Sequence, residues 1–147
     1  MIEVKSPFGN LLGMRVAEWT RSEVCLELPL KAGVRTISGT LHGGVIAALV
    51  DFAGSMAGSF NPETGKWPQN VISLSISVNF LGPVTGDKVF VRGRKVGGGR
   101  RIFMSNVEIT DTDGSLVATG QGAFKLTDKR GPPAGGVASV YRKVIIS

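Results

Sequence analysis

Residues 39–59 read GTLHGGVIAALVDFAGSMAGS, and this stretch decides the fold. Val45, Ile46, Ala47, Ala48, Leu49, Val50, Phe52, Ala53, Met56 and Ala57 leave no polar face, so the segment reads as a helix over about 42–59 that is covered on most sides. It is shorter than the ~20 apolar residues a membrane helix needs, and Asp51 interrupts it, which makes it a buried helix of a soluble domain. That carboxylate is the anomaly. Ala47, Ala48, Gly54 and Ser55 occupy the positions three and four residues away, so no ion-pair partner stands on the same helix. A carboxylate so placed is costly unless it is paired, used in chemistry, or turned to solvent at a helix edge.

Upstream, residues 13–30 alternate apolar and polar on both sides of Thr20-Arg21-Ser22, the pattern of a hairpin, and 31–41 read as a loop into the helix. Downstream, beyond a loop at 60–69, four segments show period two. In the first, Ile72, Leu74, Ile76, Val78 and Phe80 alternate with Ser73, Ser75, Ser77 and Asn79, one face apolar and one polar. Pro83 and Gly86 mark a turn into 87–96, Gly97-Gly98-Gly99 a turn into 100–111, and Asp113-Gly114 a turn into 115–126. In the last segment Gly120 and Gly122 share a face with Leu116, Ala118, Phe124 and Leu126, which lets a helix approach the sheet closely. The pattern predicts an α+β domain over 1–126, with one long central helix wrapped by a curved antiparallel sheet of five to six strands. The expected order is hairpin, helix, then a four-strand meander, with a linker and tail at 127–147.

At 147 residues one core and one domain are expected. The single cysteine, Cys25, rules out an internal disulfide and suits a reducing compartment; with no apolar leader in the first residues, the cytoplasm is the expected location. The net charge of +6 is concentrated. Lys88, Arg92, Arg94, Lys95, Arg100 and Arg101 lie in one stretch without an acidic residue, so either an anionic partner or a solvated basic strand face is implied. Nucleic acid is a poor candidate, because the stretch holds only Phe90 among aromatics and matches no helix-turn-helix, zinc or RRM signature. No metal or cofactor is called for.

His42, the chain's one histidine, stands where the helix begins, followed by Gly43-Gly44. It either caps the helix or takes part in chemistry beside the free amides of the helix N-terminus, which favour developing negative charge. Asp51 lies about 13.5 Å further along an ideal helix and roughly half a turn round it, so one helix cannot aim both at one substrate. Two copies related by a two-fold axis, with helices antiparallel, bring Asp51 of one to the His42-Gly43 end of the other and create two equivalent sites.

The motif Gly39-Thr40-Leu41-His42-Gly43-Gly44, six residues, then Asp51, resembles the hotdog-fold thioesterases of the phenylacetyl-CoA (PaaI-like) type within the 4-hydroxybenzoyl-CoA thioesterase superfamily. Residues 73–83 (SLSISVNFLGP), Gly99-Arg100-Arg101 and Asp113-Gly114 carry the likeness onward. The resemblance implies acyl-CoA thioester hydrolysis without a cofactor, in a homodimer or dimer of dimers. Asp51 would be general base or nucleophile, the Gly43 amide of the partner would polarise the carbonyl, His42 would orient it, and Ser73 would place the water. Ser75, Phe80, Gly97, Gly98, Gly99, Arg100, Arg101, Ile102 and Lys125 match the surface holding CoA, where arginine suits phosphate. Relatives carry asparagine six residues before the histidine; here Thr36, shorter and without an amide donor, predicts slower or differently selective chemistry. Val45, Phe52 and Met56 are expected to line the acyl pocket. The alternative is a hotdog protein that binds acyl-CoA without turnover; a dehydratase or hydratase on this fold would pair histidine and carboxylate in a different motif.

Overall fold

The computed structural model describes residues 6–60 and 71–127. All but the first residue of the expected loop at 60–69 and of the expected linker and tail at 127–147 lies outside the described residues. The chain opens with a helix the alternation did not announce, α1 (Pro7–Leu12). Ser6 caps it by accepting from the Gly9 amide, and Gly13 ends it in the left-handed region at φ 83°. The hairpin follows as β1 (Arg15–Trp19) and β2 (Glu23–Pro29), then a short 3₁₀ turn (Ala32–Val34) and the long helix α2 (Gly43–Ala57). The remaining strands are β3 (Val71–Phe80), β4 (Lys88–Gly98), β5 (Ile102–Thr110) and β6 (Leu116–Leu126).

These six strands form one antiparallel sheet in the order β1-β2-β4-β5-β6-β3. The four-strand meander is therefore corrected. Only β4, β5 and β6 meander; β3 pairs with β6 at the edge, and β4 inserts next to β2. Pro83 and Gly86 accordingly lie in a connection that crosses the sheet end, where Leu81 N donates to Val117 O and Leu41 N to Val84 O. The glycine turn also shifts. Gly97 and Gly98 still pair with Met104 and Phe103, so the reversal falls at 99–101, closed by Gly99 N donating to Ile102 O at 2.7 Å.

Helix α2 packs on one face of this sheet. Leu49, Val50, Ala53, Met56 and Ala57 are buried against Val24, Leu26, Leu28, Val89, Val91, Val107, Ile109 and Ala118. Each such side chain removed from water contributes roughly 1.5–3 kcal/mol, which sets the helix firmly on the strands. Close approach requires glycine at Gly120, as expected, where a Cβ would collide with Val50, and also at Gly93, Gly54 and Gly58, where it would meet the backbone of Ala53 and the rings of Phe124 and Phe103; at Gly122, the other expected position, the nearest atoms belong to Phe124 and Ser75, not to the helix. Buried polar groups are satisfied across the same contact, with Trp19 Nε1 and Ser105 Oγ donating at 2.8 Å to the carbonyls of Met56 and Gly54.

Candidate functional site

The open side of α2 meets the edge strand. Asp51 is half-buried there, and its Oδ1 accepts a hydrogen bond from Ser73 Oγ on β3. Strict alternation would put Ser73 with Ser75, Ser77 and Asn79 on the polar face. A bulge between Ser73 and Ser75 changes that. Ser73 sits opposite buried Phe124, on the helix side, whereas Ser75 sits opposite Ala123, facing away. The extra residue, Leu74, thus re-aims one serine at the carboxylate, a known use of bulges.

At the other end of α2, His42 is the N-cap: the Gly44 amide donates to His42 Nδ1 at 2.9 Å. An accepting Nδ1 leaves the ring proton on Nε2, which remains available as a donor. The Gly43 amide has no acceptor among the described residues. Phe80, the last residue of β3, lies over it, so that a Cβ on Gly43 would come within 3.3 Å of the ring. Helix and strand therefore run in opposite directions, with Gly43 beside Phe80 at one end and Asp51 beside Ser73 at the other.

The remaining expected residues divide. Val45 and Phe52 are half-buried on the open stripe of α2, joined by Ala48, which sequence reasoning passed over although the i, i+3, i+7 spacing of 45, 48 and 52 was there to find it. Phe52 packs against Phe8 of α1, ring centroids 5.7 Å apart. Met56 is a correction: at 1% exposure it belongs to the core beneath the helix and cannot line an open pocket. Thr36 Oγ1 hydrogen-bonds Thr40 Oγ1 at 3.1 Å within its own loop, so its hydroxyl is engaged locally. Ser75, Ile102 and Lys125 lie on the sheet face away from the helix, where Lys125 pairs with both Ile72 and Ile102. Gly97, Gly98, Gly99, Arg100 and Arg101 form the neighbouring β4–β5 end. A single chain thus separates this surface from Asp51 by the thickness of the sheet.

The basic stretch is less uniform than its sequence. Glu23 on β2 pairs with Arg92 at 3.2 Å and Arg94 at 3.3 Å, while Lys88 and Lys95 lie over the rings of Phe90 and Phe103. Arg100 and Arg101 at the turn have no carboxylate partner among the described residues. Among those residues no group of His, Cys, Asp and Glu is arranged to hold a metal ion, and no helix is long and apolar enough to cross a membrane.

A long central helix cradled by a six-stranded antiparallel sheet defines a hotdog domain. The chain belongs to the thioesterase superfamily, whose family model matches residues 38–118 and so covers both Gly43 and Asp51. The proofreading thioesterase EntH of Klebsiella pneumoniae is 33% identical over 104 residues, 69% of this chain and 74% of that protein. A thioesterase from Haemophilus influenzae has the same fold, with TM-score 0.71, 29% identity and 80% of each chain covered. So does a mutant of the phenylacetic acid degradation protein PaaI from Thermus thermophilus, with TM-score 0.70, 27% identity, and 83% of this chain and all of that one covered.

Proposed function

We propose that this chain hydrolyses acyl-CoA thioesters at sites shared by two copies. The observation that carries the reading is the Ser73–Asp51 pair, set by a bulge on a strand at the sheet edge, with a Gly43 amide at the opposite end of the same strand that has no acceptor among the described residues. Along β3, Ile72, Leu74, Ile76 and Phe80 are 49, 50, 40 and 58% exposed, a long apolar edge that single-chain proteins avoid. Antiparallel pairing of two such edges about a two-fold axis covers them. It also sets the Gly43 end of one copy against the Asp51 end of the other.

In this site the thioester oxygen accepts from the partner's Gly43 amide, assisted by His42 Nε2–H, so that negative charge developing on oxygen is stabilised. Asp51 takes a proton from water as the water oxygen adds to the carbonyl carbon. Collapse of the tetrahedral intermediate breaks the C–S bond, and the proton held by Asp51 passes to the departing sulfur, so that CoA leaves as the thiol, the acyl group as the carboxylic acid, and Asp51 returns to its carboxylate form. Direct attack by Asp51 would give the same products through an anhydride. The acyl group lies along Val45, Ala48 and Phe52, while Arg100 and Arg101 face the CoA phosphates with Ser75, Ile102 and Lys125 nearby. Exposed Ile72, Ile102 and Met104 on the outer sheet face suit a further pairing of dimers.

A panel of aryl-, short- and long-chain acyl-CoAs with free-thiol detection tests this. Thiol release from at least one, reduced at least ~100-fold in Asp51→Asn, is expected. Thermal stabilisation by acyl-CoA with no thiol release across the panel would leave a binding protein instead.

A further inference from the structure

The loop that delivers His42 and Gly43 to the helix start is seated at its two ends by buried Val34 and Leu41, but nothing apolar between them holds it down. Ile37, at its tip, is fully exposed, and Ser38 beside it is exposed as well. Its backbone closes locally, Thr36 N donating to Thr40 O at 2.7 Å and Gly39 N to Thr36 O at 2.9 Å, with Arg35 bridged to Leu41. What ties it to the body is Arg35. Its half-buried guanidinium donates from Nε to Leu30 O at 3.0 Å, from Nη1 to Gly39 O at 2.8 Å and from Nη2 to Gly86 O at 2.8 Å. The three acceptors belong to the end of β2, the loop itself and the connection before β4. No carboxylate among the described residues competes for the charge.

We infer that Arg35 is a positioning residue for the Gly43 amide, an inference that rests on the hydrolytic reading above. A planar fork with fixed donors can hold three carbonyls of three segments in one geometry; a lysine, a point charge on a flexible stem, cannot. The loop leaves this clamp at Leu41, where its amide is bonded to Val84 O, and at His42, where it is bonded to Val34 O, each at 2.9 Å. Gly43 is the next residue. Its N–H direction is thereby set before any substrate arrives, and a donor misplaced by about 1 Å costs on the order of 10²-fold in rate.

Arg35→Ala and Arg35→Lys should each lose about 10²-fold in kcat with KM for acyl-CoA within about twofold, Arg35→Ala recovering in part with added guanidinium. Hydrogen exchange should show lost protection in residues 34–46 alone, with β5 unchanged, and this is read whether or not any thioester is cleaved. Unchanged kcat, intact protection of 34–46, or a raised KM with kcat preserved, as for a contact to CoA phosphate, would overturn the inference. So would global unfolding of both variants, which would make Arg35 a fold residue only. The wild type and Asp51→Asn, assayed alongside, separate the two claims: no thiol release from the wild type sinks the hydrolytic reading and full activity of Asp51→Asn removes that carboxylate from it, whereas an inactive Asp51→Asn beside a fully active Arg35→Ala sinks only the role of Arg35.

Discussion

Replacing Ser73 with alanine removes one hydroxyl from an exposed position and one hydrogen bond from Asp51. A bond to a charged acceptor is worth roughly 1.5–3 kcal/mol, and at about 1.36 kcal/mol per decade this corresponds to about 10- to 150-fold in rate if the bond holds the carboxylate toward water. Folding should hardly notice, because surface substitutions away from caps and cores stay within about 0.5 kcal/mol. The decisive measurement is a double-mutant cycle on kcat/KM by thiol release, with Asp51→Asn as the second change. Once Asp51 is neutral, Ser73→Ala should cost less than about twofold, since the group it orients no longer acts. Equal losses in both backgrounds would show that Ser73 works independently of Asp51, and the pairing would lose its place in the mechanism.

Deleting Leu74 should close the ladder with Ser73 still opposite Phe124 and Ser75 still opposite Ala123, so that Ser73 keeps its place on the helix side and thiol release stays within about twofold of wild type; a loss as large as that of Ser73→Ala would show that the register does not aim the serine. Ile76→Lys places a charge on the unpaired edge and should shift the protein from dimer to monomer by sedimentation while abolishing thiol release. A fully active dimer would rule out β3 as the interface. In the β5–β6 turn, hydrogen bonds from Asp111, from the Ser115 hydroxyl and from the Ser115 amide hold Asp113 down at about 2, and the bond with Asp113 raises Asp111 above 3.8. Because Asp113 is depressed below 3.8, its contribution to the turn is present above that value and is lost as pH falls toward 2. Carboxyl-carbon NMR titration should resolve two separate midpoints, and coincident ones would contradict the assignment.

Periodicity made the long helix and all six strands readable, because a 3.6-residue apolar surround and a two-residue alternation are local properties of the chain. Which strand lies beside which is not local, and so β3 was placed next to β4 when it pairs with β6. The bulge was hidden for a related reason: Ile72 to Phe80 alternate without a fault in sequence, and only the register against β6 reveals that Leu74 is supernumerary. Met56 shows the limit of a helix that is apolar all round, whose pattern cannot say which side faces the sheet. The first helix was legible in principle. Ser6-Pro7 and Gly13 are start and stop signals, but six residues are too few for periodicity to speak. Asp51, Gly43, Ser73 and Phe80 were named from sequence; that they form two pairs at opposite ends of one strand required the fold.

The cap at His42 has a kinetic consequence. An imidazole that accepts the Gly44 amide at Nδ1 fixes its ring plane against the first turn of α2, so that Nε2 and the Gly43 amide keep one relative orientation. Two donors at the helix start are thus aligned when the chain folds, and their ordering adds nothing to the barrier of a later step.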